Sequence, residues 1–418
     1  MIKHLKPKSE FSRNVLTLMT GTTVSQAIPI AISPILTRIY TPDDFGVLAL
    51  FFAITSIFGY IATARYDMAV MLPEENDDAL NIVILGFILS SIISLILLII
   101  VYLFNHQICV LLNNFSISPW LYFIPIVVFF MGTFNMLNIY NTRLKNYQTI
   151  AKANIHKSLV MSGTQLLIGV IKTGASGLIL GEGLARIAAN MRLFKNATKD
   201  KDLKTIISKQ KMIFLAKKYI KFPKFSLFSS LVSVSSVQLA NIIISSLFGA
   251  TVLGFYYFSQ RILGVPISLI SSAVGQVFFQ QASVEKIETG KATLSYNATL
   301  KKMFIIGVPI FTVLFFIVED VFAFVFGEEW RIAGKYTQII LPLFFIRFVA
   351  MPLMFIAPLF EKQKIELVFQ FVLFLLYMSI LFISNYLKLS FENYLIINTF
   401  VIGAYYIGYM FVLNRIKG

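Results

Sequence analysis

Long apolar runs separated by short polar segments repeat along the whole chain. The clearest run extends from Asn81 to Asn105 without a charged residue, and an α-helix needs about 20 apolar residues to cross the hydrocarbon core of a bilayer. Glu182 and Arg186 interrupt the weakest run. Runs bounded by charged or turn residues predict twelve membrane-spanning helices, at 14–37, 45–66, 80–104, 119–140, 151–171, 175–192, 223–248, 252–282, 302–318, 336–358, 365–384 and 391–413. We therefore predict an all-α polytopic membrane protein.

The composition agrees with a chain that lies almost entirely in the bilayer. Of its 418 residues, 57% are hydrophobic and 13% are charged, against about 25% charged residues in a typical soluble domain. Twelve crossings of about 20 residues leave only short loops, so there is no room for a soluble catalytic domain. The first run is too long for the apolar region of a signal peptide and lacks a small-x-small cleavage site, so we expect it to remain as the first span.

Basic residues collect in alternate loops, which predicts the orientation of the chain. With the N-terminus in the cytoplasm, 28 of the 36 lysines and arginines fall on the cytoplasmic side. The five on the periplasmic side are Arg38, Lys172, Arg331, Lys335 and Lys388. The remaining three, Arg186, Arg261 and Arg347, lie within spans. This bias predicts that both termini are cytoplasmic, in a bacterial inner membrane. The net charge of +16 follows from this topology and does not indicate nucleic-acid binding.

The longest loop, at 193–222, lies near the middle of the chain and is basic. We interpret it as a cytoplasmic linker between two six-helix bundles, at 1–192 and 223–418. The turns at 41–46 and 249–254, which are 208 residues apart, support such halves because each ends in a glycine at the start of a helix. Two halves with the same starting orientation are related by an axis along the membrane normal, a known plan for transporters. The lysines of the loop include Lys195, Lys199, Lys201, Lys204, Lys209, Lys211, Lys217 and Lys218.

Few side chains offer chemistry for catalysis or for binding a metal. Cys109 is the only cysteine, so the chain forms no internal disulfide, and the histidines His4, His106 and His156 are far apart in the sequence. No nucleophile elbow, Walker loop or kinase signature occurs. We therefore expect no enzymatic activity, no metal and no cofactor, and we expect structural or surface roles for these four residues.

Polar residues within the spans are costly if they face lipid, so they are the candidates for function. Arg261 and Arg347 lie about ten and twelve residues into their runs, too deep to reach a headgroup layer, and no carboxylate lies within a turn of either. One interpretation is that each pairs with a distant carboxylate such as Glu182 or caps carbonyls at a broken helix. The other is that both line a central cavity and bind an anionic headgroup, because arginine binds phosphate bidentately. The candidate substrate-binding residues are Arg261, Arg347, Asn135, Asn138, Gln26 and Asn241.

Spacing along the helices relates some of these polar residues to one another. Asn135 and Asn138 are three positions apart and so share a helix face. Glu182 and Arg186 are four positions apart in the order that favours an ion pair within one helix. The alternative for this pair is a direct role in substrate binding or in coupling.

A sequence motif lies where the first predicted span ends and the second begins. Residues 33–46 read Ser-Pro-Ile-Leu-Thr-Arg-Ile-Tyr-Thr-Pro-Asp-Asp-Phe-Gly, and residues 64–70 read Ala-Arg-Tyr-Asp-Met-Ala-Val. Together they resemble the amino-terminal signature of the polysaccharide-biosynthesis transporters, the Wzx-type O-antigen flippases. That family more usually has Arg-Tyr-Glu at the end of the second span, so Asp67 keeps the carboxylate and shortens its reach. The candidate gating or coupling residues are Arg38, Arg65, Asp67, Glu182 and Arg186.

The resemblance implies a fold and a substrate. The fold would be that of the multidrug/oligosaccharidyl-lipid/polysaccharide exporters, with two six-helix bundles around a central cavity. The substrate would be an undecaprenyl-diphosphate-linked oligosaccharide, moved from the cytoplasmic to the periplasmic leaflet. The implied partners are this lipid, the membrane lipids and, as further candidates, other polysaccharide-assembly proteins.

Several alternatives share the predicted topology. A polysaccharide polymerase or ligase would need a large periplasmic loop, and the predicted periplasmic loops are short. A major-facilitator transporter would carry a Gly-x-x-x-Asp-Arg-x-Gly-Arg-Arg motif between the second and third spans, where residues 67–75 are acidic and lack glycine. A drug exporter of the same superfamily would share the fold and differ in the chemistry of its cavity. Flipping of lipid II by a related fold also stays open.

Overall fold

The computed structural model describes residues 10–171, 174–198 and 203–417, and it describes the side chains of 17–171, 174–198, 205–228 and 230–417. His4 and the basic residues Lys3, Lys6, Lys8, Lys172, Lys199 and Lys201 lie outside the described residues. The described chain is helical and contains no strand. Its long helices are α1 (Glu10–Ile39), α2 (Pro42–Ile61), α3 (Asn76–Leu111), α4 (Ile124–Arg143), α5 (Tyr147–Ile171), α6 (Ser176–Ala197), α7 (Leu227–Phe248), α8 (Ala250–Thr289), α9 (Thr293–Phe326), α10 (Arg331–Leu353), α11 (Gln363–Tyr386) and α12 (Phe391–Ile416).

Nine of the twelve long helices in the described part of the chain are long and apolar enough to cross a membrane. This confirms an all-α, multi-pass membrane protein. The three that fall short are α1, α5 and α6. They pack against one another, α5 lying against both α1 and α6, so polar side chains on them can be buried within the protein. That all twelve helices span the bilayer stays a prediction.

Helix α3 shows how the lipid environment selects side chains. Its exposed face carries Ile92, Leu95 and Ile99 at helical spacing, whereas its buried face carries Gly86 and Ser90. Lipid tails are as apolar as these exposed side chains, so helices associate through close packing of small residues rather than through the hydrophobic effect. On α3, Gly86 and Ser90 thus allow close helix packing, although large apolar residues such as Leu97 and Val101 are buried as well.

Several helices extend well beyond the apolar runs that predicted them. Helix α8 continues to Thr289 and α9 begins at Thr293, although the sequence predicted spans at 252–282 and 302–318. The additional turns are rich in polar residues, which the hydropathy pattern excludes from a span. The two helices are separated by Gly290, whose φ of 72° ends α8 in the left-handed conformation that glycine adopts readily.

The chain forms two compact units, Met1–Val234 and Ser235–Gly418. The boundary between these units falls within α7, whereas the sequence placed a linker at 193–222. The described part of that loop forms two short helices, Leu203–Ile206 and Lys209–Lys218, in the first unit.

Hydrogen bonds attach the described part of this loop to the start of α3. The Asn81 amide donates to the carbonyl of Ile206 over 3.0 Å and accepts from the Ser208 backbone N–H over 2.9 Å. Lys211 forms a hydrogen-bonded ion pair with Asp78, with 3.2 Å between nitrogen and oxygen. This contact raises the pKa of the Lys211 ammonium group. These hydrogen bonds therefore hold the described part of the loop against the start of α3, within the first unit.

The motif at 33–46 forms a helix junction. Thr41 caps α2 by accepting from the Asp44 backbone N–H, Asp44 accepts from the Thr41 N–H in return, and Pro42 occupies the first turn. This reciprocal capping box satisfies backbone donors that the first turn leaves free. Capping of α2 therefore accounts for Thr41, Pro42 and Asp44 in the motif.

Tyr40, in the same motif, anchors α5 and α6. It is only 2% exposed, and its hydroxyl donates to the carbonyl of Gln165 over 2.6 Å. A Cβ at Gly169 or Gly177 would lie 2.5 or 1.9 Å from this hydroxyl oxygen. Both glycines therefore leave space that the tyrosine ring fills.

We expect Gly21→Val to destabilise the first unit, because α1 and α5 touch at this position. A Cβ at Gly21 would lie 2.4 Å from the Cβ and 2.9 Å from the Cα of Ala151, and overpacking of this kind costs about 1–3 kcal/mol. The measurement is the midpoint of thermal unfolding of the purified protein in detergent. Gly163→Val on α5 is the matched control, since an added Cβ there meets no atom within 4 Å. Equal midpoints for the two variants would contradict the close packing of α1 on α5.

Candidate functional site

Arg347 on α10 lies in an aromatic environment within the second unit. Its guanidinium carbon is 5.3 Å from the ring centroid of Phe344 and 5.9 Å from that of Tyr406. The hydroxyl groups of Tyr406, Tyr377 and Tyr256 are close enough to interact with it electrostatically. The tyrosines come from α8, α11 and α12, so four helices build the surroundings of one cation.

No carboxylate pairs with Arg347 among the described residues. The ion pairs of the second unit lie near helix ends, where Arg331 meets Asp320 at 2.7 Å and Lys335 meets Glu392 at 2.7 Å. The predicted distant partner, Glu182, pairs with Arg186 on its own helix. Arg347 is instead surrounded by aromatic rings and neutral phenol groups, which do not neutralise its charge.

This arrangement suits a ligand that carries both an anionic group and hydroxyl groups. A guanidinium can donate two parallel hydrogen bonds to a phosphate, and tyrosine hydroxyls both donate and accept. Aromatic faces offer apolar contact to the less polar face of a sugar ring. By its charge, the environment of Arg347 therefore suits an anionic group better than a cation.

The other predicted substrate residues of the second unit lie on α7 and α8. Asn241 on α7 is half-buried, and its side-chain amide donates to that of Gln238 over 3.4 Å. Arg261 on α8 is half-buried, and within the described part of the chain it has neither a hydrogen bond nor an ion pair. The described contacts do not join Arg261 to Arg347.

A charged cluster in the first unit is centred on α6. Arg186 and Glu182 form the ion pair that their spacing predicted, and both side chains are largely buried. Lys157 on α5 interacts electrostatically with both of them and lies 5.4 Å from the ring centroid of Phe134 on α4. The cluster thus contains two cations and one carboxylate.

Sequence reasoning missed Lys157 as a site residue and assigned it to the cytoplasmic loop before the fifth span. In the structure α5 begins at Tyr147 and is continuous through Lys157. The available signal was the apolar run from 151 onward, which places this lysine nearly two turns inside the span.

Buried polar atoms in the first unit lack hydrogen-bond partners among the described residues. They include the side-chain oxygens of Gln26, Asn138 and Asn190 and the Nε of Arg186. An unsatisfied buried polar group costs about 1–3 kcal/mol, so bound water or a polar ligand would stabilise each. Asn135, predicted on the same face as Asn138, is half-buried.

The predicted coupling residues near α2 form local contacts. Arg65, in the left-handed conformation with a φ of 63°, pairs with Asp67 at 3.4 Å, and Asp67 accepts from the Thr63 hydroxyl over 2.8 Å. Both charged side chains are about nine-tenths buried. Arg38 is exposed and donates to the carbonyl of Pro34 within α1. These contacts give Arg65 and Asp67 a structural function in the turn after α2.

Comparison with known proteins identifies the family. A family model described as "Polysaccharide biosynthesis protein" matches residues 35–334. The chain belongs to this polysaccharide biosynthesis family. The chain is also similar to an uncharacterized membrane protein in the cps region of Klebsiella pneumoniae. The two are 19% identical over 351 residues, which are 84% of this chain and 71% of that protein.

Solved structures establish the fold of this family member. The lipid II flippase MurJ in an inward closed conformation matches with a TM-score of 0.67 and 15% identity, over 94% of this chain and 86% of that chain. The eukaryotic MATE transporter AtDTX14 matches with a TM-score of 0.62 and 14% identity, over 98% of both chains. The chain therefore has the same fold as the MurJ and MATE proteins. The family and these neighbours are transporters and flippases, not enzymes.

We expect Arg65→Ala to lower the amount of folded protein, because it leaves the buried carboxylate of Asp67 without its ion pair. Breaking a buried pair on one side costs roughly 3–5 kcal/mol. The measurement is the monodisperse fraction of the protein extracted from membranes. Arg65→Ala combined with Asp67→Ala should recover part of the loss, and Arg38→Ala, at an exposed arginine, should have no effect. Full folding of Arg65→Ala with loss of transport would instead favour a coupling role.

Proposed function

We propose that the protein is a flippase for an undecaprenyl-diphosphate-linked oligosaccharide, such as an O-antigen unit of lipopolysaccharide or a similar surface polysaccharide unit. It would move this lipid from the cytoplasmic to the periplasmic leaflet by alternating access. The observation that carries the proposal is Arg347, a deep cation surrounded by tyrosines and without a carboxylate partner among the described residues. A diphosphate next to a sugar matches this combination of charge and hydroxyl groups.

The charge balance within the helices favours this substrate over the alternative of a drug exporter. Lys157, Arg261 and Arg347 lie within helices, and Glu182, the acidic member of the charged cluster, is already paired with Arg186. A cationic drug would require unpaired carboxylates, whereas these positions attract anions. The family and the cps-region relative also support polysaccharide export, while the MATE transporters share the fold and fit a drug exporter equally.

We further propose that the protein lies in the bacterial inner membrane with both termini in the cytoplasm. The support is the excess of basic residues, 28 against five, in alternate loops of the sequence. In this orientation the docked loop at 203–218 and the start of α11 face the cytoplasm. The lipid-linked substrate would therefore enter from their side.

Removing the guanidinium of Arg347 should impair export of surface polysaccharide. The loss of a charge-assisted contact of roughly 1.5–3 kcal/mol corresponds to about tenfold to hundredfold in affinity. Arg347→Lys should recover only part, because a point charge replaces a bidentate donor. Arg261→Ala is expected to act in the same direction. The assay is complementation of export in a strain lacking the protein, normalised to the amount in the membrane.

Arg415→Ala provides the control, since Arg415 is exposed near the end of α12. Normal export per molecule in Arg347→Ala and Arg261→Ala would refute the substrate role of both arginines. Efflux of a cationic dye that depends on the protein, without polysaccharide export, would favour the drug exporter.

The proposed orientation can be tested with single cysteines in a variant lacking Cys109. Ser116→Cys lies in the exposed segment between α3 and α4, and Gln210→Cys is exposed on the docked loop. In intact spheroplasts an impermeant thiol reagent should label Ser116→Cys and should label Gln210→Cys only after the membrane is opened. The reverse labelling pattern would overturn the orientation.

A further inference from the structure

An open groove lies between α11 and α12 in the second unit. It has a volume of about 380 Å³, within the usual range of roughly 300–1,000 Å³ for pockets that bind small ligands. Apolar and aromatic side chains form most of its lining, together with one lysine. The lining includes Lys364, Val368, Phe369, Tyr405, Gly408 and Tyr409.

The aromatic wall of the groove is fixed by stacking. The ring of Phe369 lies 3.9 Å from the ring centroid of Tyr409 and 4.9 Å from that of Tyr405, with interplanar angles of 22° and 3°. The Tyr405 hydroxyl donates to the carbonyl of Phe369 over 3.1 Å. These contacts hold the wall in one conformation. Phe369 and Tyr409 are buried behind Tyr405, which is half-buried, so a ligand would meet a preformed surface mainly at the Tyr405 ring.

The space in the groove depends on Gly408. A Cβ added to this residue would meet no atom within 4 Å, so the protein itself leaves the position empty. A larger side chain at 408 could therefore fill the groove without a clash against a neighbouring helix.

One end of the groove is polar. Lys364, in the first turn of α11, is exposed there, and the hydroxyl of Tyr409 is buried without a hydrogen-bond partner among the described residues. Glu366 is also near Tyr409, so an anion is favoured on the side of Lys364. The Lys364 ammonium can donate to a phosphate.

A second groove in the same unit lacks this polar end. It lies between α9 and α10, has a volume of about 270 Å³ and is lined by Phe311, Phe316, Phe345 and other residues, none of them charged. Any lipid tail could occupy both grooves. Of these two grooves, only the one between α11 and α12 combines an apolar channel with a lysine in its lining.

We propose that the groove between α11 and α12 binds the isoprenoid chain of the lipid carrier, with the adjoining phosphate at Lys364. This inference rests on the proposed flippase function and names where the carrier chain lies. Flat, methyl-branched alkene units fit a stacked aromatic wall, and the proposed orientation places Lys364 at the cytoplasmic end, where the carrier would enter. The chain would stay in lipid-facing apolar surroundings while the headgroup moves.

Photo-crosslinking of the full-length protein tests the binding. A benzophenone amino acid replaces Val368 in the groove or Phe316 in the second groove, and the protein is reconstituted in phosphatidylcholine nanodiscs with undecaprenyl diphosphate or phosphatidylglycerol. We expect an undecaprenyl adduct at position 368 that exceeds both the phosphatidylglycerol adduct and the adduct at position 316. Lys364→Gln should reduce it about tenfold or more. Lys362→Gln, at a neighbouring exposed lysine outside the groove, should not.

Equal labelling by both lipids, or equal labelling at both positions, would overturn the inference. Export provides the second readout. Gly408→Leu should reduce polysaccharide export per molecule, whereas Gly163→Leu, at a position that is also open, should not. If Arg347→Ala abolishes export while Gly408→Leu leaves it normal, the proposed binding of the isoprenoid chain in this groove is refuted and the flippase function stands. If the adduct forms but export never depends on the protein, the flippase function fails and the binding stands.

Discussion

The absence of water in the hydrocarbon core is the constraint on which this structure depends. A charge buried there must find its partner inside the protein or in a ligand, because no solvent can compensate it. Arg186 follows this rule through Glu182, a carboxylate on the same helix. Arg347 follows it differently, since its surroundings are tyrosine hydroxyls and aromatic rings. The same rule that makes the paired charges structural makes Arg347 a candidate for binding an anion.

The constraint also explains why the most polar helices pack together. Helices α1, α5 and α6 have too little hydropathy to resemble ordinary spans, yet α5 lies against both others. Small residues such as Gly21, Gly169 and Gly177 allow the close approach, and Tyr40 fills the space that two of them leave. Polar groups are then shielded from lipid by protein. This packing brings Lys157 next to Glu182 and Arg186, so a structural solution creates a charged cluster.

Around Arg347, in the second unit, aromatic side chains take the place of carboxylates. Tyr256, Tyr377 and Tyr406 surround Arg347, while Phe369 stacks on Tyr405 and Tyr409 at the groove. Neighbouring residues on α12 therefore face two different environments. Tyrosine suits both because its ring tolerates apolar surroundings and its hydroxyl can contact a polar group. A lipid with a long apolar chain and a charged, hydroxyl-rich headgroup needs both kinds of surface.

The sequence by itself determined the helical class, the long apolar spans and the family resemblance, because hydropathy and capping motifs are properties of contiguous residues. It also predicted the pair of Glu182 and Arg186, which lie on one helix, and singled out Arg347 by its depth. Only the tertiary structure decided the tyrosines around Arg347, the position of Lys157 beside the charged pair, and the docking of the described part of 193–222 on α3. Those contacts join residues far apart in the chain, and the packing of helix on helix selects them rather than any local pattern.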